Sequence, residues 1–156
     1  MIAMEHIHPM VVHFPIVLII LLAGFDLFFA LRGDSVAGRT TAGNLSTLLA
    51  VLAAAFSLAA VMFGDMALEH AEEGGFSSEI AEIHEHLGMI AALVLSAWAV
   101  IRGFLWFRNN QLSGGMNMLV SLGSVAIAVL VLATAYFGGQ LVYDLGVNVT
   151  KVAMGG

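Results

Sequence analysis

The sequence predicts an all-α integral membrane protein, folded as an antiparallel bundle of four transmembrane helices. Of its 156 residues, 60% are hydrophobic and only 10% are charged, whereas soluble domains carry about 25% charged residues. Four apolar segments reach the roughly 20 residues of helix that cross a bilayer. No internal repeat and no long linker are evident in the sequence. Residues 1–156 are therefore predicted to form one domain.

The first two spans are predicted at about residues 10–32 and 44–68. Pro9 suits the first turn of span 1, where proline is tolerated, and Pro15 predicts a kink inside the span. The first nine residues contain no Lys or Arg, and the apolar run that follows is longer than the hydrophobic region of a signal peptide. We therefore interpret this run as an uncleaved first span.

The third and fourth spans are predicted at about residues 85–107 and 116–143. Ser77 or Ser78 can cap the helix that leads into span 3, and the acidic residues that follow suit the dipole at a helix N-terminus. Gly138 and Gly139 in span 4 permit another helix or a flat cofactor to come close. Because all connections are short, neighbouring spans should run antiparallel.

The basic residues predict the orientation of the bundle. Arg32 and Arg39 flank the first connection, and Arg102 and Arg108 lie at the end of span 3. Cytoplasmic loops carry an excess of Lys and Arg, and the second connection has neither. Both termini are therefore expected outside and the first and third connections inside, although Lys151 in the C-terminal tail is on the outer side.

This orientation places every histidine at the outer face, and all acidic residues except Asp26 and Asp34 join them. The histidines are His6, His8, His13, His70, His84 and His86. The net charge of −6 argues against nucleic-acid binding. The chain has no cysteine, which excludes disulfides, iron–sulfur ligation and covalent c-type haem attachment for this chain.

His13 is the strongest candidate ligand, because an ionisable residue inside a span faces the bundle interior and is a functional candidate by default. A neutral histidine bonded to a neighbouring helix is the structural alternative. His84 lies near a stripe of small residues on span 3, and His86 points about 200° away from it on a helix. His13 and His84 are therefore the first predicted pair, with His86 as the substitute. His8 is expected just before the helix, at the aqueous edge.

Asp26 and Arg102 lie at similar depth in the inner halves of spans 1 and 3. Charges inside a membrane pair with one another, so we expect a buried ion pair that closes the bundle. A proton or quinone contact is the alternative role of Asp26.

The chain resembles the DUF2231 family of small predicted bacterial membrane proteins. The resemblance rests on His8-Pro9, on "VVHFPI" around His13, on a histidine at the head of span 3, and on the C-terminal "GGQLVYDLGVNV". It covers nearly the whole chain, with four spans in the same order. The family name records no function. Relatives joined to c-type cytochrome segments imply a redox setting in the bacterial inner membrane.

The first functional hypothesis is a b-type haem protein, with candidate ligands among His8, His13, His84 and His86. Two imidazoles from different helices can ligate a haem iron inside a four-helix bundle. The inner half offers no histidine for a second haem. The haem would therefore exchange electrons near the outer, periplasmic face, with a c-type cytochrome, a quinol or a larger redox complex. This describes an electron-transfer subunit rather than a stand-alone enzyme.

Two alternatives stay open. Histidines and carboxylates together also suit zinc, copper or non-haem iron, with His13, His70, His84 and His86 as candidate metal ligands. The other alternative is a structural or assembly subunit without a cofactor, in which the histidines act as polar glue or as a pH-sensitive patch.

Overall fold

The computed structural model describes residues 7–147, and this part of the chain is helical with no strand. The first two helices form one span, Ile7–Leu31, and each of the others is long and apolar enough to cross a membrane. The predicted all-α fold with four spans is confirmed. The helices are α1 (Ile7–Val11), α2 (His13–Leu31), α3 (Thr41–Glu73), α4 (Glu79–Phe107) and α5 (Gly114–Tyr143).

The first span is interrupted at Val12, between α1 and α2. Pro15 has no backbone N–H to bond the carbonyl of Val11, and its ring crowds that carbonyl. The helix is therefore interrupted one turn before Pro15, as the position of this proline predicts. The break separates His8 in α1 from His13 in α2.

The four spans form a closed ring in which α2 packs on α3, α3 on α4, α4 on α5, and α5 on α2. The short α1 packs on α2 and α3. Within residues 7–147, the diagonal pairs α2/α4 and α3/α5 make no close backbone contact. Residues on the inner faces of α1–α2 and α4 therefore oppose each other across the interior of the bundle.

The distribution of side chains is that of a protein surrounded by lipid. Leu31, Val100 and Phe107 are 75%, 72% and 69% exposed. The interior contains many small residues, among them Ala50, Ala53 and Ser121. Lipid tails are as apolar as leucine, so helices in membranes associate through close packing of small residues rather than by burying large ones.

A fully buried ion pair joins α2 to α4 across the bundle. Arg102 donates from Nη1 and Nη2 to the two carboxylate oxygens of Asp26, at 3.1 and 3.0 Å. Arg102 also donates to the carbonyl of Val36 at 2.6 Å, and Ser124 donates to Asp26 at 2.7 Å. The ion pair expected from the sequence is confirmed.

The connection between α2 and α3 is folded into the same end of the bundle. Val36 is fully buried, and its N–H donates to Oδ1 of Asn117 at 3.0 Å. The side-chain amide of Asn117 donates in turn to the carbonyl of Asp34 at 2.9 Å. The first bond satisfies the buried N–H of Val36, as a buried backbone group requires, and the second orients the Asn117 side chain that accepts it.

Gly43→Ala is expected to destabilise the protein by about 1–3 kcal/mol, the usual cost of overpacking. Thr40 caps α3 by accepting from the N–H of Gly43 at 2.9 Å, and a Cβ on Gly43 would lie 2.7 Å from the carbonyl carbon of Ala37. This neighbour is backbone and cannot rotate away. Gly24→Ala is the control, because a Cβ there meets no atom within 4 Å. Unfolding in detergent with increasing SDS measures both; equal midpoints would contradict this account.

Candidate cofactor site between two histidines

His8 is half-buried in α1 and turned towards α3. Its Nδ1 lies 2.8 Å from the carbonyl oxygen of Ala60. A carbonyl only accepts, so Nδ1 is the protonated nitrogen that donates. In the neutral imidazole, Nε2 then keeps its lone pair and is free to bind a metal.

His84 is half-buried in α4 and makes the same contact with α5. Its Nδ1 donates to the carbonyl oxygen of Thr134 at 3.0 Å. Its Nε2 also keeps a lone pair when the ring is neutral. Metal-binding histidines nearly always donate their second nitrogen in this way, because the bond fixes the tautomer and the orientation of the ring.

A glycine lies beside each of the two rings. A Cβ on Gly64 would lie 3.0 Å from Cε1 of His8, and a Cβ on Gly138 would lie 2.8 Å from Cε1 of His84. Each glycine comes one helical turn after the carbonyl that accepts from the ring, Ala60 or Thr134. The missing side chains give the imidazoles room to reach the helix backbone.

The two rings face the same space in the interior of the bundle. Their centroids are 6.2 Å apart and their planes meet at 79°. They border a cavity of about 570 Å³ to which all four spans contribute. The apolar part of the lining includes Pro15, Ile16, Ala91, Leu95, Val131 and Ala135. A cavity of this size and polarity is typical of sites for small molecules and cofactors.

The structure pairs His84 with His8, whereas the sequence favoured His13 as its partner. His13 borders the cavity, but its side chain is exposed and its Nδ1 donates to the carbonyl of Pro9 on its own span, at 2.6 Å. The expectation that His8 lies just before the helix is wrong. The helix begins at Ile7, one residue before His8, and so carries this ring into the bundle.

The remaining predicted ligands lie away from this pair. His86 is exposed on α4 and does not border the cavity. His70 has a side chain 67% exposed, with its nearest acidic contact at 4.0 Å from Glu73. His6 lies outside the described residues. Within residues 7–147, no three His, Asp or Glu side chains are grouped closely enough to hold a metal ion.

The sequence predicts no internal repeat, yet the surroundings of His8 and His84 match. Each ring donates to a backbone carbonyl and lies beside a glycine one turn further along the same helix. The same interval separates His8 from Asp26 as separates His84 from Arg102. An isoleucine comes directly before His8 and before His84. A phenylalanine comes directly before Gly64 in span 2 and before Gly138 in span 4. These short matches are the only sequence signal for the partners of the histidines, and they become readable once the contacts are known.

Comparison with known proteins identifies a family. The family model described as DUF2231, predicted membrane protein, matches residues 5–151. No curated protein matches the chain, and no solved structure does. The match takes in both histidines, both glycines and all four spans. The chain is therefore a member of the DUF2231 family of predicted membrane proteins.

Proposed function

We propose that the protein is a membrane-bound b-type cytochrome that holds one haem between His8 and His84. The observation that carries the proposal is the matched state of the two imidazoles. Each is half-buried, each donates from Nδ1 to a backbone carbonyl, and each keeps Nε2 for a metal. Haem b, when bound, supplies a one-electron redox centre.

The separation of the rings would suit two imidazoles that hold one metal ion. An imidazole nitrogen binds a metal at about 2.0 Å, so two imidazoles on opposite sides of one ion have ring centroids about 6 Å apart. The centroids of His8 and His84 are 6.2 Å apart. The two histidines lie on diagonally opposed spans, so together they would hold a ligand in the interior of the bundle.

The ligand count favours haem over a bare metal ion. Zinc sites use three or four protein ligands, and the described residues offer no group of three. A porphyrin supplies four nitrogens itself, so haem needs only two axial ligands from the protein. The mainly apolar lining of the cavity would tune the reduction potential.

The position of the pair suggests how electrons are exchanged. Within residues 7–147, the five histidines lie at one end of the bundle, and the opposite half offers none for a second haem. The haem would therefore serve a donor or acceptor at that face. A periplasmic c-type cytochrome, a quinol or a larger complex in the bacterial inner membrane fits this role, with the histidine-rich face outside.

The absorption spectrum of the purified protein tests the proposal. We expect a Soret band that shifts on reduction with dithionite, and one haem per chain in a pyridine haemochrome assay. Titration with hemin covers the case in which expression yields the protein without haem. A protein that stays colourless and does not bind hemin contradicts the proposal. Stoichiometric zinc or copper by elemental analysis would then support a metal site, and its absence a structural subunit.

A further inference from the structure

The cavity is built from two corresponding halves of the chain, α1–α3 and α4–α5. Exchanging the halves maps α2 onto α4 and α3 onto α5, and every helix keeps its neighbours. Positions that border the cavity on the first span recur at a constant interval on the third. Three of these pairs are His8 with His84, Pro15 with Ala91, and Ile16 with Ala92.

The correspondence extends to the helices that accept the histidine hydrogen bonds. Positions of α3 that border the cavity recur in α5, again at a constant interval. They include Ala60 with Thr134, Gly64 with Gly138, and Leu68 with Val142. Each half therefore supplies one histidine, one accepting carbonyl and one glycine, in the same relative places. A chance match of the histidines alone would not also place the carbonyl and the glycine at matching positions.

We propose that the two halves form a structural repeat in which Gly64 and Gly138 are the positioning residues of His8 and His84. Each glycine lets one imidazole lie against the helix backbone, where a carbonyl holds Nδ1 and leaves Nε2 for the ligand. The role of the imidazoles as haem ligands rests on the proposed function. The placement of the rings does not.

A methyl group added at either glycine would collide with the imidazole ring, and the helix backbone would not need to move. At Gly138 the added Cβ would lie 2.8 Å from Cε1 of His84 and 3.3 Å from its Nδ1. The imidazole is the mobile end of its side chain, so it rotates away and loses the carbonyl of Thr134. At Gly64 the closest approach is 3.0 Å, so the displacement of His8 is expected to be smaller.

The experiment compares Gly138→Ala and Gly64→Ala with Gly24→Ala. Gly24 is the control, because it does not border the cavity and a Cβ there meets no atom within 4 Å. The first readout is nitrogen-15 NMR of histidine-labelled protein without haem. In the wild type we expect His8 and His84 with the proton on Nδ1. Gly138→Ala should remove this signature from His84 alone, and Gly64→Ala from His8 alone.

The second readout is hemin affinity. Loss of the group that orients a metal ligand costs about 10–100-fold in affinity, so both alanine variants should weaken binding by at least about tenfold, Gly138→Ala the more. Gly24→Ala should bind as the wild type does. Unchanged tautomers and affinity in Gly138→Ala would overturn the inference. If the wild type binds no hemin but the tautomers change as expected, the cytochrome proposal fails and the positioning role stands.

A double variant keeps the test decisive if Gly138→Ala folds poorly. The clash requires the imidazole, so His84→Ala/Gly138→Ala should unfold at the same SDS concentration as His84→Ala alone. Effects of residues in contact are non-additive in this way. A double variant that is less stable than His84→Ala would show that Gly138 serves the helix packing instead of the histidine, and would overturn the inference.

Discussion

Asp26→Ala is expected to destabilise the protein by about 3–5 kcal/mol, the cost of breaking a buried ion pair by removing one partner. Arg102 and Asp26 are joined by two hydrogen bonds, and both side chains are fully buried. Without Asp26, the guanidinium keeps the carbonyl of Val36 as its partner but has no opposite charge. The hydroxyl of Ser124 loses its acceptor at the same time.

The chain provides a matched control in a second Arg–Asp pair at the same end of the bundle. Arg32 and Asp34 are 3.6 Å apart, with side chains 64% and 54% exposed. Exposed pairs contribute about 0–1 kcal/mol, so Asp34→Ala should cost less than about 1 kcal/mol. Unfolding in detergent with increasing SDS compares the two variants. Equal midpoints would show that burial gives the Asp26–Arg102 pair no special weight.

Removing both charges should cost less than removing one. Replacing a buried ion pair by apolar residues of similar volume is often neutral or stabilising, so Asp26→Leu/Arg102→Leu should be more stable than Asp26→Ala.

The pair occupies corresponding positions of the two halves. Identical charges at these positions would repel each other in the interior, whereas opposite charges attract. The ion pair therefore favours packing of α1–α3 against α4–α5 over packing of either half against a second copy of itself.

The four spans and the ion pair could be predicted because they depend on properties that the sequence displays directly. Apolar length predicts a span, and two opposite charges at the same depth predict a pair. The choice of His84 over His86 followed from helical phase, which is reliable along the unbroken α4. Each of these inferences needs only the depth or the helical phase of a residue within a regular helix.

The partner of His84 could not be predicted in this way. His13 was favoured because an ionisable residue inside a span usually faces the bundle interior, but its side chain is exposed. His8 was expected before the helix, but it lies in α1, which a break at Val12 separates from α2. The break separates the orientation of His8 from that of His13. The bonds to Ala60 and Thr134 use backbone carbonyls, which are present at every residue and so leave no sequence signal. Only the glycines mark them, and glycine in a membrane helix has many other roles.

Removing either His8 or His84 is expected to have the largest effect on haem binding. His8→Gly and His84→Gly should each weaken hemin binding by more than about 100-fold, beyond the loss caused by disturbing an orienting group. The two losses should be similar, because each imidazole has the same contacts in its own half. His86→Ala is the control, since this side chain is exposed and lies outside the cavity.

Free imidazole separates a lost ligand from a damaged fold. In His84→Gly the space of the missing ring is bordered by Gly138, which offers no side chain to fill it. Added imidazole should enter this space and restore the Soret band of the wild type. His13→Ala decides between the two candidate pairs. If it abolishes the spectrum while His8→Gly retains it, the ligands are His13 and His84, and α1 and α2 must rearrange when haem binds.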